Sequence, residues 1–363
     1  MSFNYDYNMK ELMRTFAKVL ENDYDQNNTS GNNLVDEIIK SSQRRSIADN
    51  DFLEWIDFNK FDNLQYITCG GIGNIHSAIW KDGPARSVSL CDRLFNREGE
   101  RVIVVKFFKT NKEFLDEFVN IFKMIEACTR ASGSENLVHV FGATRNEKNQ
   151  FGIVTQYINA GNLENYLEDN WRTITWKEKL GILKDIAHGL SNLHNAELTH
   201  GDIHTRNVFV SKDVRSTGFI GDFGYCGVDE PNVRTQRRVI PFIAPELLLG
   251  KAYTKKADIY SFGLIMYQVA TNTRPKRYRG NNRNFERDIL NGLRPGFDKE
   301  LMPHGYASLM RNCWNSDRKN RPKAENLYKK FCEWEDTFYE PDSPFRMFRF
   351  QKVEPSQNIA AFV

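Results

Sequence analysis

The period of the apolar positions changes along the chain. Met9, Leu12, Met13, Phe16 and Leu20 recur at helical spacing, the polar run NDYDQNNTSGNN interrupts them, and Leu34, Ile38 and Ile39 mark a second short helix. These two short amphipathic pieces predict an N-terminal extension over residues 1–52 and not a domain of its own. From residue 53 the pattern shortens. RVIVVKFF and FGIVTQYI are rich in β-branched and aromatic residues and predict strands, and EFLDEFVNIFKMIEACTR between them has helical periodicity. Beyond residue 162 long helical patterns take over, among them WKEKLGILKDIAHGLSNLHN and ADIYSFGLIMYQVAT. A sheet-rich half followed by a helix-rich half predicts an α+β, bilobal fold with a ligand cleft between the lobes. The divisions fall at 53–158 for the small β-rich lobe and its connection, 159–337 for the helical lobe and 338–363 for a C-terminal tail.

Composition narrows the class without naming an activity. The 363 residues are 40% hydrophobic and 13% aromatic, enough for a sizeable core. Fifty basic and 47 acidic residues leave a net charge of +3, which gives no electrostatic case for nucleic acid or an anionic membrane as the main partner. The six cysteines, at 69, 91, 128, 226, 313 and 332, include no C-x-x-C pair, so neither a disulfide framework nor a zinc cluster is predicted. A reducing cytosol or nucleus fits. MSFNYDYNMK lacks the basic start and apolar core of a secretory leader, and no apolar run approaches the ~18–20 residues of a membrane span. A soluble, cytoplasmic protein is therefore expected.

Several residue groups carry candidate chemistry. In ITCGGIGNIHSAIW, Gly70, Gly71 and Gly73 would let backbone amides approach phosphates that a Cβ would obstruct, although a plain hairpin turn uses the same residues. Lys106 ends the apolar strand RVIVVK, either as an edge lysine shielding the sheet or as an ammonium held against phosphates. The second role needs a carboxylate, which Glu117 in EFLDEFVN offers. Downstream, LTHGDIHTRNVFV places Asp202 and Asn207 in a loop after a long helix, and FIGDFGYCG places Asp222 just past a short apolar strand. Phosphoryl transfer needs Mg²⁺ to neutralise the phosphates, oxygen ligands to hold the metal, and a carboxylate near the attacking hydroxyl. Asn207 and Asp222 suit the metal, and Asp202 suits the hydroxyl.

With these motifs in this order, the chain resembles the eukaryotic protein kinase family over roughly residues 61–335. The resemblance assigns ITCGGIGNI, with Thr68, Gly70, Gly71 and Gly73, to the glycine loop, and Lys106 and Glu117 to the strand lysine and helix glutamate. It assigns HGDIHTRN, with His200, Asp202, His204 and Asn207, to the catalytic loop and Asp222, Phe223 and Gly224 to the metal-binding triplet. Ala244, Pro245 and Glu246 form the APE segment, Arg321 is the implied salt-bridge partner of Glu246, and Asp258 in DIYSFG is implied to brace the catalytic loop from below. IVTQYIN corresponds to the hinge, with Thr155 as gatekeeper, backbone groups of Gln156 and Ile158 toward adenine, and Ile75, Val104 and Phe209 around the ring. EWIDFNKFDNLQYI, HSAIWKDGP and KADIYSFGLIMYQVAT look most like the tyrosine-kinase-like group, particularly its fungal expansions. ATP and Mg²⁺ as cofactors, a protein substrate and transfer to Ser/Thr hydroxyls are what the resemblance implies.

The departures matter as much. Thr68 replaces the first loop glycine. Gly201 stands where the family commonly carries an arginine that pairs with an activation-segment phosphate, so activity independent of such a phosphate is expected. Only Tyr225 and Thr235 carry hydroxyls between Asp222 and Glu246, where Arg234, Arg237 and Arg238 also lie. His204 replaces a lysine; an imidazole is mostly neutral at pH 7, although adjacent phosphates would favour its protonated form. Arg206 gives the loop a tyrosine-kinase flavour. HGDIHTRN is also similar to the loop of aminoglycoside phosphotransferases, which lack the APE segment and its arginine. A binding-only pseudokinase is the other alternative, though Lys106, Asp202, Asn207 and Asp222 are all kept. PFRMFRFQKVEP and QRRSI are candidate docking or regulatory segments, with solvated tails the expected reading.

Overall fold

The computed structural model describes residues 29–45, 52–70, 73–88, 95–109, 112–131, 135–213, 216–227, 240–275 and 282–348. The first expected helix, Gly71, and the stretch with Arg234, Thr235, Arg237 and Arg238 lie outside these. The chain divides into two compact units, Met1–Gly133 with Val138–Tyr157, and Ser134–Leu137 with Ile158–Val363.

The first unit is built on a six-stranded sheet. Its strands are β1 (Glu54–Trp55), β2 (Phe61–Cys69), β3 (Gly73–Trp80), β6 (Arg101–Phe108), β7 (Val140–Arg145) and β8 (Phe151–Gln156), in the order β1-β7-β8-β6-β3-β2. A separate hairpin pairs β4 (Ala85–Val88) with β5 (Phe95–Arg97). Alternation decides the faces of β6: Ile103, Val105 and Phe107 enter a core with Ile56, Phe61, Ala78, Trp80, Phe141 and Val154, while Val104 and Lys106 point the other way. Helix α2 (Lys112–Ala131) docks through Phe118, whose ring lies 5.1 Å from Phe108 of β6 and 5.0 Å from Phe151 of β8.

Helix α1 (Asn33–Arg45) contains the second N-terminal helical pattern and buries Val35, Ile38 and Ile39. QRRSI departs from the solvated reading at its first residue. Gln43 is buried and donates to Leu53 O at 3.2 Å, beside the Leu53 N–H donated to Ser42 Oγ at 2.6 Å. The backbone entering β1 thus takes its partners from α1, which is the physical reason these polar residues leave water.

The second unit is mainly helical. It comprises α3 (Leu163–Asn170), α4 (Trp176–Asn195), the hairpin β9 (Val208–Ser211) with β10 (Thr217–Ile220), α5 (Pro245–Leu248), α6 (Lys255–Thr271), α7 (Asn282–Leu290), α8 (His304–Cys313) and α9 (Ala324–Asp336). Helix α4 starts where it does because Thr175 and Glu178 form a reciprocal capping box. Helix α6 is apolar nearly all round and runs through the core. In PFRMFRFQKVEP, of which the part after residue 348 lies outside the described residues, Phe345 departs from the solvated expectation. Phe345 is fully buried, its ring 5.5 Å from both Trp176 and Trp334 and 5.9 Å from Phe338. Aromatic burial outweighs the polar residues around it.

Lys179 of α4 lies beside the same aromatic cluster. It is only 2% exposed, with its ammonium 4.0 Å from the Trp171 ring centre and 5.0 Å from that of Trp176. Burial pulls its pKa from an ordinary 10.5 down to about 7. Between those values the unfolded chain holds a proton that the folded chain does not, so stability rises with pH across that window, by up to about 5 kcal/mol less what the ring faces return to the cation. Urea unfolding at about pH 6 and pH 9 checks this. Lys179→Met should be more stable than the parent at the lower pH and should lose the rise toward the higher one.

Candidate active site

The loop after α4 is organised by one carboxylate. Asp258, in the first turn of α6, has no solvent exposure. Its Oδ2 receives the His200 N–H and lies against His194 Nε2, both at 2.9 Å; its Oδ1 receives the Gly201 N–H at 3.1 Å and the Tyr253 hydroxyl at 2.6 Å. Burial opposes the charge, but the hydrogen bonds from His194 and Tyr253 hold the carboxyl below its ordinary value. Without those donors a carboxylate in this position would neutralise.

From this anchor the geometry propagates. The His200 ring faces Gly221 O through Nε2 at 3.0 Å and accepts the Asp202 N–H on Nδ1 at 3.3 Å. A carbonyl can only accept and an amide N–H can only donate, so the ring is neutral with its proton on Nε2. Phe223 packs edge-on to it at 5.8 Å, ahead of buried Gly224. Asn207 donates through Nδ2 to Asp202 O at 2.9 Å and takes the Gly221 N–H on its own carbonyl at 2.9 Å. Its side-chain oxygen is what remains for a ligand. Asp222 follows Gly221 in a left-handed conformation, φ 60°, and its side chain is exposed. Oxygen atoms from an amide and a carboxylate are the donor set a hard cation takes, so these two residues fit Mg²⁺.

Gly201 has φ 85°, and a Cβ there would run into the Tyr225 carbonyl. Gly227 N–H bonds Thr199 O at 2.9 Å on the other side of this contact. The residue that the sequence reading treats as a missing arginine is thus also a position that only glycine fills without strain. His204 is 5% exposed, with Nδ1 accepting the Arg206 N–H at 3.2 Å and Nε2 3.6 Å from Asp202 Oδ2. Arg206 turns its guanidinium to within 3.7 Å of buried Glu164, which Arg274 also pairs. Beyond Asp202, Glu246 and Arg321 form a buried two-bond pair at 2.7 Å, and Arg321 adds bonds to Asn315 O and Lys256 O at 2.8 Å. A pair satisfied in this way specifies geometry more than it stabilises.

In the first unit, Thr68 sits opposite Ile75 across the β2–β3 hairpin, and Gly70 N–H closes the turn on Gly73 O at 2.8 Å. A Cβ on Gly73 would meet the Phe107 carbonyl, so sheet packing alone already demands glycine there. Register pairs Ile75 with Lys106 and Val104 with Thr155, which puts these four on the sheet face opposite the core. Glu117 lies on α2; its side chain is outside the described set. Gln156 gives its N–H to His139 O at 2.9 Å. In the second unit, Ile158 is buried with its carbonyl on Gly161 N–H at 3.2 Å, and half-buried Phe209 faces Phe219 in the β9–β10 hairpin. Sequence reasoning missed His194 and Tyr253: neither belongs to a motif, and their link to Asp258 exists only after folding.

Residues 61–331 match the family described as protein tyrosine and serine/threonine kinase, more than half of the chain, and the chain belongs to that family. Its two units carry the α+β, two-lobed architecture of the protein kinase fold. Over 280 residues it is 28% identical to a protein of Acanthamoeba polyphaga mimivirus named as a serine/threonine-protein kinase/receptor, covering 76% of this chain and 16% of that one. A second mimivirus protein named in the same way is 32% identical over 204 residues, covering 54% of this chain and 12% of its own length. A Dictyostelium discoideum protein named as a serine/threonine-protein kinase is 26% identical over 282 residues, covering 76% and 16%. The chain thus spans 12–16% of the length of these relatives.

Gly201 supplies the test of this geometry. Gly201→Arg, which installs the residue common in the family, should cost about 1–3 kcal/mol in urea unfolding and lower phosphoryl transfer, because left-handed strain and the Tyr225 contact both oppose it. A variant as stable and as active as the parent would contradict the described contact.

Proposed function

We propose that the chain is an ATP- and Mg²⁺-dependent protein kinase that transfers the γ-phosphate to serine and threonine hydroxyls of protein substrates. The observation that carries this reading is the hydrogen-bonded net joining Asp202, Asn207 and the residue before Asp222. The names of the relatives support the acceptor class. When bound, Mg²⁺-ATP supplies the transferable phosphoryl group and the positive charge that neutralises its oxygens. Asp202 orients the acceptor hydroxyl and takes its proton, while Asn207 and Asp222 offer the metal oxygen ligands. Lys106 would hold the nucleotide phosphates, and Glu117 is the carboxylate that the family pattern assigns to it. By the family pattern the phosphate loop would be Thr68, Gly70, Gly71 and Gly73, and the adenine residues would be Ile75, Val104, Thr155 and Gln156 of the first unit and Ile158 and Phe209 of the second. Retention of all four of Lys106, Asp202, Asn207 and Asp222 argues against a binding-only role. The buried Glu246–Arg321 pair, a feature that aminoglycoside enzymes lack, argues for a protein substrate.

Labelled ATP and a purified protein acceptor test the proposal. Asp202→Asn should lower kcat by about 10²–10⁴, Asp222→Ala should abolish transfer, and the label should appear on Ser and Thr. Transfer by Asp202→Asn at the parent rate, or label found only on an aminoglycoside, would overturn it. Because Gly201 replaces the arginine that commonly pairs with an activation-segment phosphate in the family, phosphatase treatment and a Tyr225→Phe, Thr235→Ala double variant should each leave the rate within about twofold. A collapse in both would show that an activating phosphate is needed.

A further inference from the structure

We propose that His204 is a positioning residue for Asp202, working as a neutral imidazole whose Nε2–H faces the carboxylate, and not as a cation set against the transferring phosphate. The inference rests on the kinase reading above and deepens it. The lysine that the family places here makes a protonated imidazole beside the phosphate the alternative role. The hydrogen bonds decide otherwise. Nδ1 accepts the Arg206 N–H at 3.2 Å and must therefore keep its lone pair, which leaves the ring proton on Nε2, 3.6 Å from Asp202 Oδ2. A proton on Nδ1 would set two N–H groups against each other and break that loop bond. The ring is buried, and Phe242 holds its plane at a centroid distance of 5.9 Å.

Asp202 needs such a partner. Its N–H is fixed on His200 Nδ1 at 3.3 Å and its carbonyl by Asn207 Nδ2 at 2.9 Å, so the backbone is pinned at both ends and the carboxylate rotamer is the freedom left. Facing Oδ2, the described residues place His204. A separation of 3.6 Å is too long for a full hydrogen bond, and catalytic contacts of this kind commonly tighten when substrate binds. An N–H donor facing Oδ2 favours the rotamer that points this oxygen at the ring, with the other oxygen left for the acceptor hydroxyl.

The two roles predict different kinetics. For a positioning residue, His204→Ala should lower kcat about 10- to 100-fold with KM for ATP unchanged, and His204→Gln, which keeps an N–H near the Nε2 position, should recover most of the loss. His204→Lys should recover less, because it cannot accept the Arg206 N–H. A His204→Ala variant with raised KM for ATP that His204→Lys restores would overturn the proposal in favour of a phosphate contact, and an unimpaired His204→Ala would remove any role. ¹⁵N NMR of the imidazole in the wild-type chain at neutral pH covers the case in which the variants fail to fold. The proposal requires a protonated Nε2 and an acceptor Nδ1; an imidazolium or an Nδ1–H ring overturns it. That measurement needs no turnover, so an inactive wild type showing the required tautomer would refute the kinase reading instead.

Discussion

The loop that carries Asp202 depends on the Asp258 carboxylate being fully satisfied. A charge with no solvent contact persists only if donors surround it, and the donors come from three places: His194 at the end of α4, His200 and Gly201 in the catalytic loop, and Tyr253 ahead of α6. Two of the four are backbone amides of the loop itself. The carboxylate therefore specifies the loop's path and not merely its attachment. Removing one donor of such a set costs several kcal/mol, because the charge then stays buried without compensation.

The consequences run outward one hydrogen bond at a time. With its N–H on Asp258, His200 presents its ring to Gly221 O and to the Asp202 N–H, and that double engagement selects a single tautomer. Asn207 grips the same short stretch from the other side through Asp202 O and the Gly221 N–H. The candidate base, Asn207 and the residue before Asp222 thus share one net. Gly201 fits this arrangement because the Tyr225 carbonyl occupies the space a side chain would need.

Elements with a strong local period were legible from the chain. The helix at Trp176–Asn195 combines 3.6-residue spacing with a capping box, and the strand at Arg101–Phe108 is a β-rich run with alternating burial. The candidate chemistry-bearing residues stand out in the sequence because they sit in motifs of fixed order. What escaped has no local signature. His194 and Tyr253 matter through a partner many residues away or in the neighbouring helix, Gly73 is required by an adjacent strand, and Phe345 is buried by aromatic rings from α4 and α9. His204 is the instructive case. Its identity was plain, yet its role turns on which ring nitrogen holds the Arg206 N–H, and spacing carries no information about that.

Amide hydrogen exchange in the parent and in Asp258→Asn shows whether the carboxylate sets the path of the loop. An Asn amide presents one accepting oxygen and a donor group that opposes the loop N–H groups. The account predicts that protection at His200 and Gly201 falls sharply while the interior of α6 keeps its own. Unchanged protection at those two amides would contradict it, since the loop would then hold its course without the carboxylate.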